Sequence, residues 1–112
     1  MKTALGNDET IVKEGGANLQ RGLETVGGHL YLTNKRLVFE SHAFNIQQGS
    51  TIVDVENITE MTKTWTKFLN LIPIFPNSVC IRTKTGDEFN FVVSNRNSWI
   101  QDIENTKKTY TR

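Results

Sequence analysis

The stretch Gly27-Gly28-His29-Leu30-Tyr31-Leu32-Thr33-Asn34-Lys35-Arg36-Leu37-Val38-Phe39-Glu40-Ser41 decides the fold, because its apolar residues alternate on both sides of an Asn-Lys pair. A two-residue turn at Asn34-Lys35 sets Leu32 opposite Leu37 and Leu30 opposite Phe39 on one face of a β-hairpin. The other face is mostly polar, with Thr33, His29 and Tyr31 against Arg36, Glu40 and Val38. Asn tolerates the left-handed backbone that opens a primed turn, although Lys at the second position is weaker than Gly.

Upstream, Glu9 to Lys13 can form a short strand, which Gly15-Gly16 are expected to break with a turn before Ala17 to Gln20 resume an extended pattern. Downstream, Phe44 to Ser50 reads as a polar loop feeding a strand over Thr51 to Val55, with another over Ile58 to Trp65. A second hairpin lies between Val79 and Val93. A three-residue loop Lys84-Thr85-Gly86 puts Gly at the left-handed position of a bulged turn and pairs Ile81 with Phe89, Val79 with Phe91, and Arg82 with Glu88. A loop one residue later, Thr85-Gly86-Asp87, keeps the same sidedness.

The period then changes from two to helical, placing Trp99, Ile103, Thr106 and Tyr110 on one stripe with Ile100 beside it. Ser94 or Asn95 is the expected cap, with Asn97 and Ser98 as competitors, and Lys107, Lys108 and Arg112 lie near the end that cations favour. Strands over about 9–94 followed by a helix over about 95–110 predict one mainly β domain spanning 1–112. Its architecture would be a partly open barrel or two packed antiparallel sheets, with Trp99 and Ile103 plugging one opening.

A chain of 112 residues suffices for one core. With 37% hydrophobic and 22% charged residues it is compatible with a folded domain rather than a disordered tail. Thirteen basic and twelve acidic residues nearly cancel, leaving no global field to hold a polyanion, so no nucleic-acid partner is expected. Cys80 stands alone, which excludes an intrachain disulfide and suits a reducing compartment. The early residues turn polar before a signal-peptide apolar region develops, and no run approaches the roughly 20 residues of a membrane span. A cytoplasmic protein is expected, with any membrane contact peripheral at the inner face.

The succession of Gly27, Gly28, Leu30, Leu32, Thr33, Asn34, Arg36, Leu37 and Phe39, then Pro76-Asn77, then Thr83 and Gly86, then Arg96, Trp99 and Ile100 resembles a GRAM domain of the pleckstrin-homology-like superfamily. It resembles the compact stand-alone bacterial forms more than the eukaryotic forms embedded in large enzymes. The resemblance implies about seven strands capped by a C-terminal helix, and a lipid-binding or protein-binding module rather than an enzyme.

The chemistry-bearing residues agree with a binder. His29, His42 and Cys80 have no zinc-ligand spacing, and there is no HExxH, P-loop or Gly-x-Ser-x-Gly sequence, so no metal, cofactor or catalytic residue is expected. The best functional candidate is the segment from Lys63 to Phe75, where Lys63 and Lys67 flank Trp65, Phe68, Leu69, Leu71, Ile72, Ile74 and Phe75. Exposed, it suits a membrane interface, with Trp65 at headgroup level, Phe68 and Leu69 in the acyl boundary, and the lysines on anionic phosphates. Folded back, it would cover a sheet edge or the barrel end; paired, it would be buried in a homodimer or another protein. Lys13, Arg21, Lys35 and Arg36 form a basic headgroup site if the first strand turn and the central hairpin turn converge. An adaptor that uses an exposed strand edge is the alternative.

Overall fold

The computed structural model describes residues 1–21, 24–43, 50–68 and 72–110; for Arg21, Tyr110 and residues 65–68 and 72–76 it describes the backbone alone. Within these residues seven strands, β1 (Ile11–Arg21), β2 (Glu24–Thr33), β3 (Arg36–Ser41), β4 (Thr51–Asp54), β5 (Ile58–Phe68), β6 (Ile72–Thr83) and β7 (Glu88–Val93), precede one helix, α1 (Arg96–Tyr110). They form a single antiparallel sheet in the order β4-β3-β2-β1-β7-β6-β5. The ladder stays open, because its edges β4 and β5 are joined by the short 3-10 turn Val55–Asn57 and not by pairing.

The central hairpin has the register read from its sequence: Leu32 faces Leu37, Leu30 faces Phe39, and Tyr31 faces Val38. Its turn differs. Positive φ among the described non-glycine residues occurs at Asp8 and Asn95, so Asn34 does not take the left-handed conformation. The turn is held instead by side chains: Thr33 Oγ1 accepts Lys35 N at 3.1 Å and Arg36 N at 2.8 Å, and Asn34 Oδ1 accepts Thr10 N at 2.8 Å. A Thr-Asn pair thus supplies what Gly supplies by conformation elsewhere.

Gly15-Gly16 do not break the first strand. β1 runs through them, pairing Gly15 with Leu30 and Gly16 with His29, so their backbone groups belong to the ladder. The Trp99 indole packs beside Gly15, where a Cβ would lie in ordinary van der Waals contact, 3.6 Å from Trp99 Cζ2. β1 pairs with β2 almost throughout but with β7 only over Ala17 to Gln20. It is therefore the strand that joins the two halves of the sheet.

The second hairpin also has the expected register, with Ile81 opposite Phe89, Val79 opposite Phe91 and Arg82 opposite Glu88. Gly86 has φ +89°, the left-handed position that fixed the choice of loop. The loop expected over Phe44 to Ser50 lies, Ser50 apart, outside the described residues.

One core cluster joins Leu30, Leu32, Leu37, Phe39, Val53, Ile58, Ile81 and Phe91 of the strands and their connections to Trp99 and Ile103 of α1. The Phe39 and Phe91 rings are tilted at 5.9 Å between centroids, a geometry that adds to their area burial. Asn95 immediately precedes α1, and its carbonyl accepts Ser98 N at 2.9 Å and Trp99 N at 3.2 Å. Trp99 is 5% and Ile103 2% exposed, so burial of the two stabilises by about 1.5–3 kcal/mol apiece. Thr106 completes the stripe, while the Tyr110 side chain lies outside the described residues.

The hairpin face read as polar is buried as well. Thr33, Val38 and Glu40 are all under 9% exposed. The N-terminal segment is bonded to two of them: Glu40 Oε2 accepts Thr3 N and Thr3 Oγ1, each at 2.7 Å, and Glu9 Oε2 accepts Thr33 Oγ1 at 2.6 Å.

Candidate functional site

The described residues of the segment singled out in the sequence belong to a two-stranded arm. β5 and β6 pair with each other as far as Thr66 with Phe75, Lys67 with Pro73 and Phe68 with Ile72. β6 pairs with β7 only from Ser78 onward, where Ser78 meets Val92. Among the described residues, 72–77 of β6 therefore have β5 as their sole strand partner, and the register shifts between Thr64 and Thr66 and again between Thr66 and Lys67. Irregularities of this kind bend a strand away from the sheet it leaves. Lys63 stands exposed at the base of this arm. The side chains of Trp65, Lys67, Phe68, Ile72 and Phe75, and the whole of Leu69 and Leu71, lie outside the described residues.

The four cations of the second candidate site have separate engagements. Lys13 on β1 turns toward α1, with its Nζ 3.2 Å from Asp102 Oδ2, 3.0 Å from Ser98 Oγ and 5.2 Å from the centre of the Trp99 ring. Lys35 and Arg36 sit together at the hairpin tip but face the N-terminal segment. Lys35 Nζ donates to Asn7 O at 2.8 Å, and Arg36 Nη2 donates to Ala4 O at 2.9 Å. Arg36 also grips Glu9 with two bonds, Nε to Oε2 at 2.8 Å and Nη2 to Oε1 at 2.9 Å. The Arg21 side chain lies outside the described residues.

Glu9 and Glu40 are the buried acidic groups that sequence reasoning did not single out. The Arg36 hydrogen bond outweighs burial and, with Gly6 N and Thr33 Oγ1, holds the Glu9 carboxyl down to about 2. Burial pushes Glu40 up, but the Thr3 hydroxyl and the Thr3 and Lys2 amides outweigh it, and the net direction is down. Both carboxylates are thus saturated with donors and suited to holding a chain segment rather than to taking a proton. The one hint in the sequence was Val38 on the face read as mostly polar, a residue that is 0% exposed.

The remaining titratable groups are arranged as sheet surface. His29 Nε2 lies 3.1 Å from Glu14 Oε1, and its ring stands 4.7 Å from that of Tyr31. His42 is exposed. Cys80 is half-buried, its thiol 3.6 Å from Glu88 Oε2 and pushed up by burial and by that carboxylate, the opposite of an activated nucleophile. Among the described residues no three His, Cys, Asp or Glu side chains are grouped to hold a metal ion.

An open seven-stranded antiparallel sheet plugged by one C-terminal helix defines the pleckstrin-homology-like class. The GRAM domain family matches residues 1–109, and the chain belongs to that family. Among solved structures it is similar to the Vps36 N-terminal PH domain (13% identity, TM-score 0.71, covering 96% of this chain and 86% of that one). It is also similar to the C-terminal domain of an unknown protein from Leishmania infantum (15%, 0.68, 88% and 84%). A third is the Slm1 PH domain in complex with phosphoserine (15%, 0.58, 91% and 97%). No curated protein matches the chain. GRAM and pleckstrin-homology-like domains are typically non-catalytic modules that bind lipids or proteins. No described helix is long and apolar enough to cross a membrane.

Proposed function

We propose that this chain is a non-catalytic, cytoplasmic module that docks peripherally on an anionic membrane surface through the β5–β6 arm. The observation that supports the reading is the pairing of the arm: among the described residues, 65–68 and 72–77 have no third strand beyond Ser78 and are not interior rungs of the sheet, and the sequence of this region carries Trp65, Phe68, Leu69, Leu71, Ile72 and Phe75. Such an arm enters the acyl boundary with its apolar residues, while Lys63 and Lys67 add about 1 kcal/mol each on anionic lipid. Lys13, Arg21, Lys35 and Arg36 contribute to the field around the domain, not to a single headgroup cradle, because Lys13 and Arg36 already face carboxylates.

Co-sedimentation with vesicles of graded phosphatidylglycerol content, at low and physiological salt, tests this. Wild type should bind in proportion to anionic lipid, and the Trp65→Ser/Phe68→Ser double variant should not, while retaining its thermal midpoint. A large loss of stability in the variant would make these residues core and refute the reading.

A protein-adaptor reading is favoured by one other observation. β4 is an edge strand with β3 as its sole strand partner among the described residues, and Ile52 on it is 45% exposed. An extended peptide could add there through main-chain hydrogen bonds. Capture of a partner that survives the arm substitutions but is lost in Ile52→Pro would select this alternative.

A further inference from the structure

At the root of the arm, α1 takes hold of both strands. Arg96 Nη1 donates to Thr64 O at 2.7 Å and to Ser78 O at 3.2 Å. Thr64 and Ser78 are register partners, so one guanidinium bridges a single rung of the β5–β6 ladder. That rung is the boundary: Ser78 makes the last pairing of β6 with β7, and the first register shift of the arm follows Thr64. Ser78 is 1% exposed, so the bridge is set into packed surroundings. Arg96 is the first residue of α1, three before the buried Trp99, and its own position is therefore tied to the core.

We propose that Arg96 is the positioning residue of the arm, which couples arm and helix into one rigid unit and presents the arm for docking. A two-stranded hairpin is marginal in water by itself, and among the described residues the arm has no third strand beyond Ser78. A charge-assisted bridge to both of its strands supplies that missing constraint at the point where the sheet stops. Holding the arm in one orientation before contact lowers the ordering cost of binding. The substitution Arg96→Lys keeps a charge but loses the planar donor group, so its effect is intermediate. The docking part of this inference rests on the proposed membrane reading; the coupling of arm and helix does not.

The test is amide hydrogen exchange on the whole chain, read separately over the arm (65–68 and 72–77) and the sheet (79–83 and 88–93), in wild type, Arg96→Lys and Arg96→Ala. Binding of each to mixed phosphatidylglycerol–phosphatidylcholine vesicles is measured in parallel. Arg96→Ala should speed exchange in the arm about tenfold, leave the sheet unchanged and weaken vesicle binding about tenfold, with Arg96→Lys between it and wild type. Arm amides protected as in wild type would overturn the inference. So would an acceleration spread evenly over arm and sheet, the mark of a merely structural residue. Should Arg96→Ala not fold, Arg96→Lys decides by the same localisation. If wild type binds no vesicle while the arm still loosens in the variants, membrane docking fails and the coupling stands.

Discussion

Glu9 and Arg36 form a bidentate ion pair, with Nε–Oε2 at 2.8 Å and Nη2–Oε1 at 2.9 Å, that fastens the N-terminal segment to the tip of the central hairpin. The Glu9 side chain is only 2% exposed, and Gly6 N and Thr33 Oγ1 fill its remaining acceptor capacity. The consequence is a segment integrated into the fold instead of a loose tail. The Thr33-Asn34-Lys35-Arg36 turn is its receptor.

This pair makes stability pH-dependent on the acid side. The Glu9 carboxyl is lowered from 4.5 to about 2, so its contribution is complete above 4.5 and is lost as pH falls toward 2. The depression corresponds to about 3 kcal/mol. Chemical denaturation at a series of pH values should show wild type losing stability across that window, and Glu9→Gln should lose visibly less across it while being weaker at neutral pH. Glu40, also lowered, adds slope of the same sign, so some dependence persists in the single variant. Equal acid slopes in the two proteins would refute the assignment.

The adjacent glycines of the hairpin should behave differently. A Cβ on Gly28 would collide with Glu40 O and lie 2.8 Å from Ser41 Cα, backbone atoms that cannot move without parting β2 from β3, and 2.7 Å from Cζ of the buried Phe39 ring. On Gly27 it would meet the movable ends of Asn18 and His42 at 3.1 Å and 3.3 Å. Gly28→Ala should cost about 3 kcal/mol or more, or abolish folding, and Gly27→Ala under about 1 kcal/mol. Thermal unfolding of both variants settles it, and similar midpoints would be inconsistent with this packing.

Trp99 should account for much of the helix docking. Its indole packs beside Gly15 and carries Lys13 over its face. Trp99→Ala should destabilise by about 3–5 kcal/mol in urea denaturation, whereas Trp99→Phe retains most of the packing. A small effect of the alanine variant would mean that α1 contributes little to the core.

How much was legible follows from the range of the interactions. Alternating residues about a short turn specify register locally, and both hairpins, down to Arg82 opposite Glu88, were readable; so was the Trp99–Ile103 stripe, which repeats at helical spacing. Gly15-Gly16 misled because local breaking tendency yields to ladder pairing with Leu30 and His29. The attachment of residues 2–9 was hidden because its partners are more than 20 positions away: Thr3 with Glu40, Glu9 with Arg36. The same holds for Arg96, visible in the sequence as part of a motif but bound to carbonyls 32 and 18 residues distant. For the candidate site, a strand was readable as far as Trp65, but its extension to Phe68 and its pairing with a β6 that starts at Ile72 were not, because they depend on cross-strand partners.

The central claim is that the arm enters an anionic membrane, and quenching of Trp65 by brominated phosphatidylglycerol tests it most directly. Trp99 is 5% exposed within the core and should stay unquenched. Wild type on brominated vesicles should lose the Trp65 part of its emission, and Trp65→Phe, whose signal is Trp99 alone, should lose almost none. Vesicle-bound wild type whose emission is untouched by bromine, or equal quenching in Trp65→Phe, would contradict insertion of the arm.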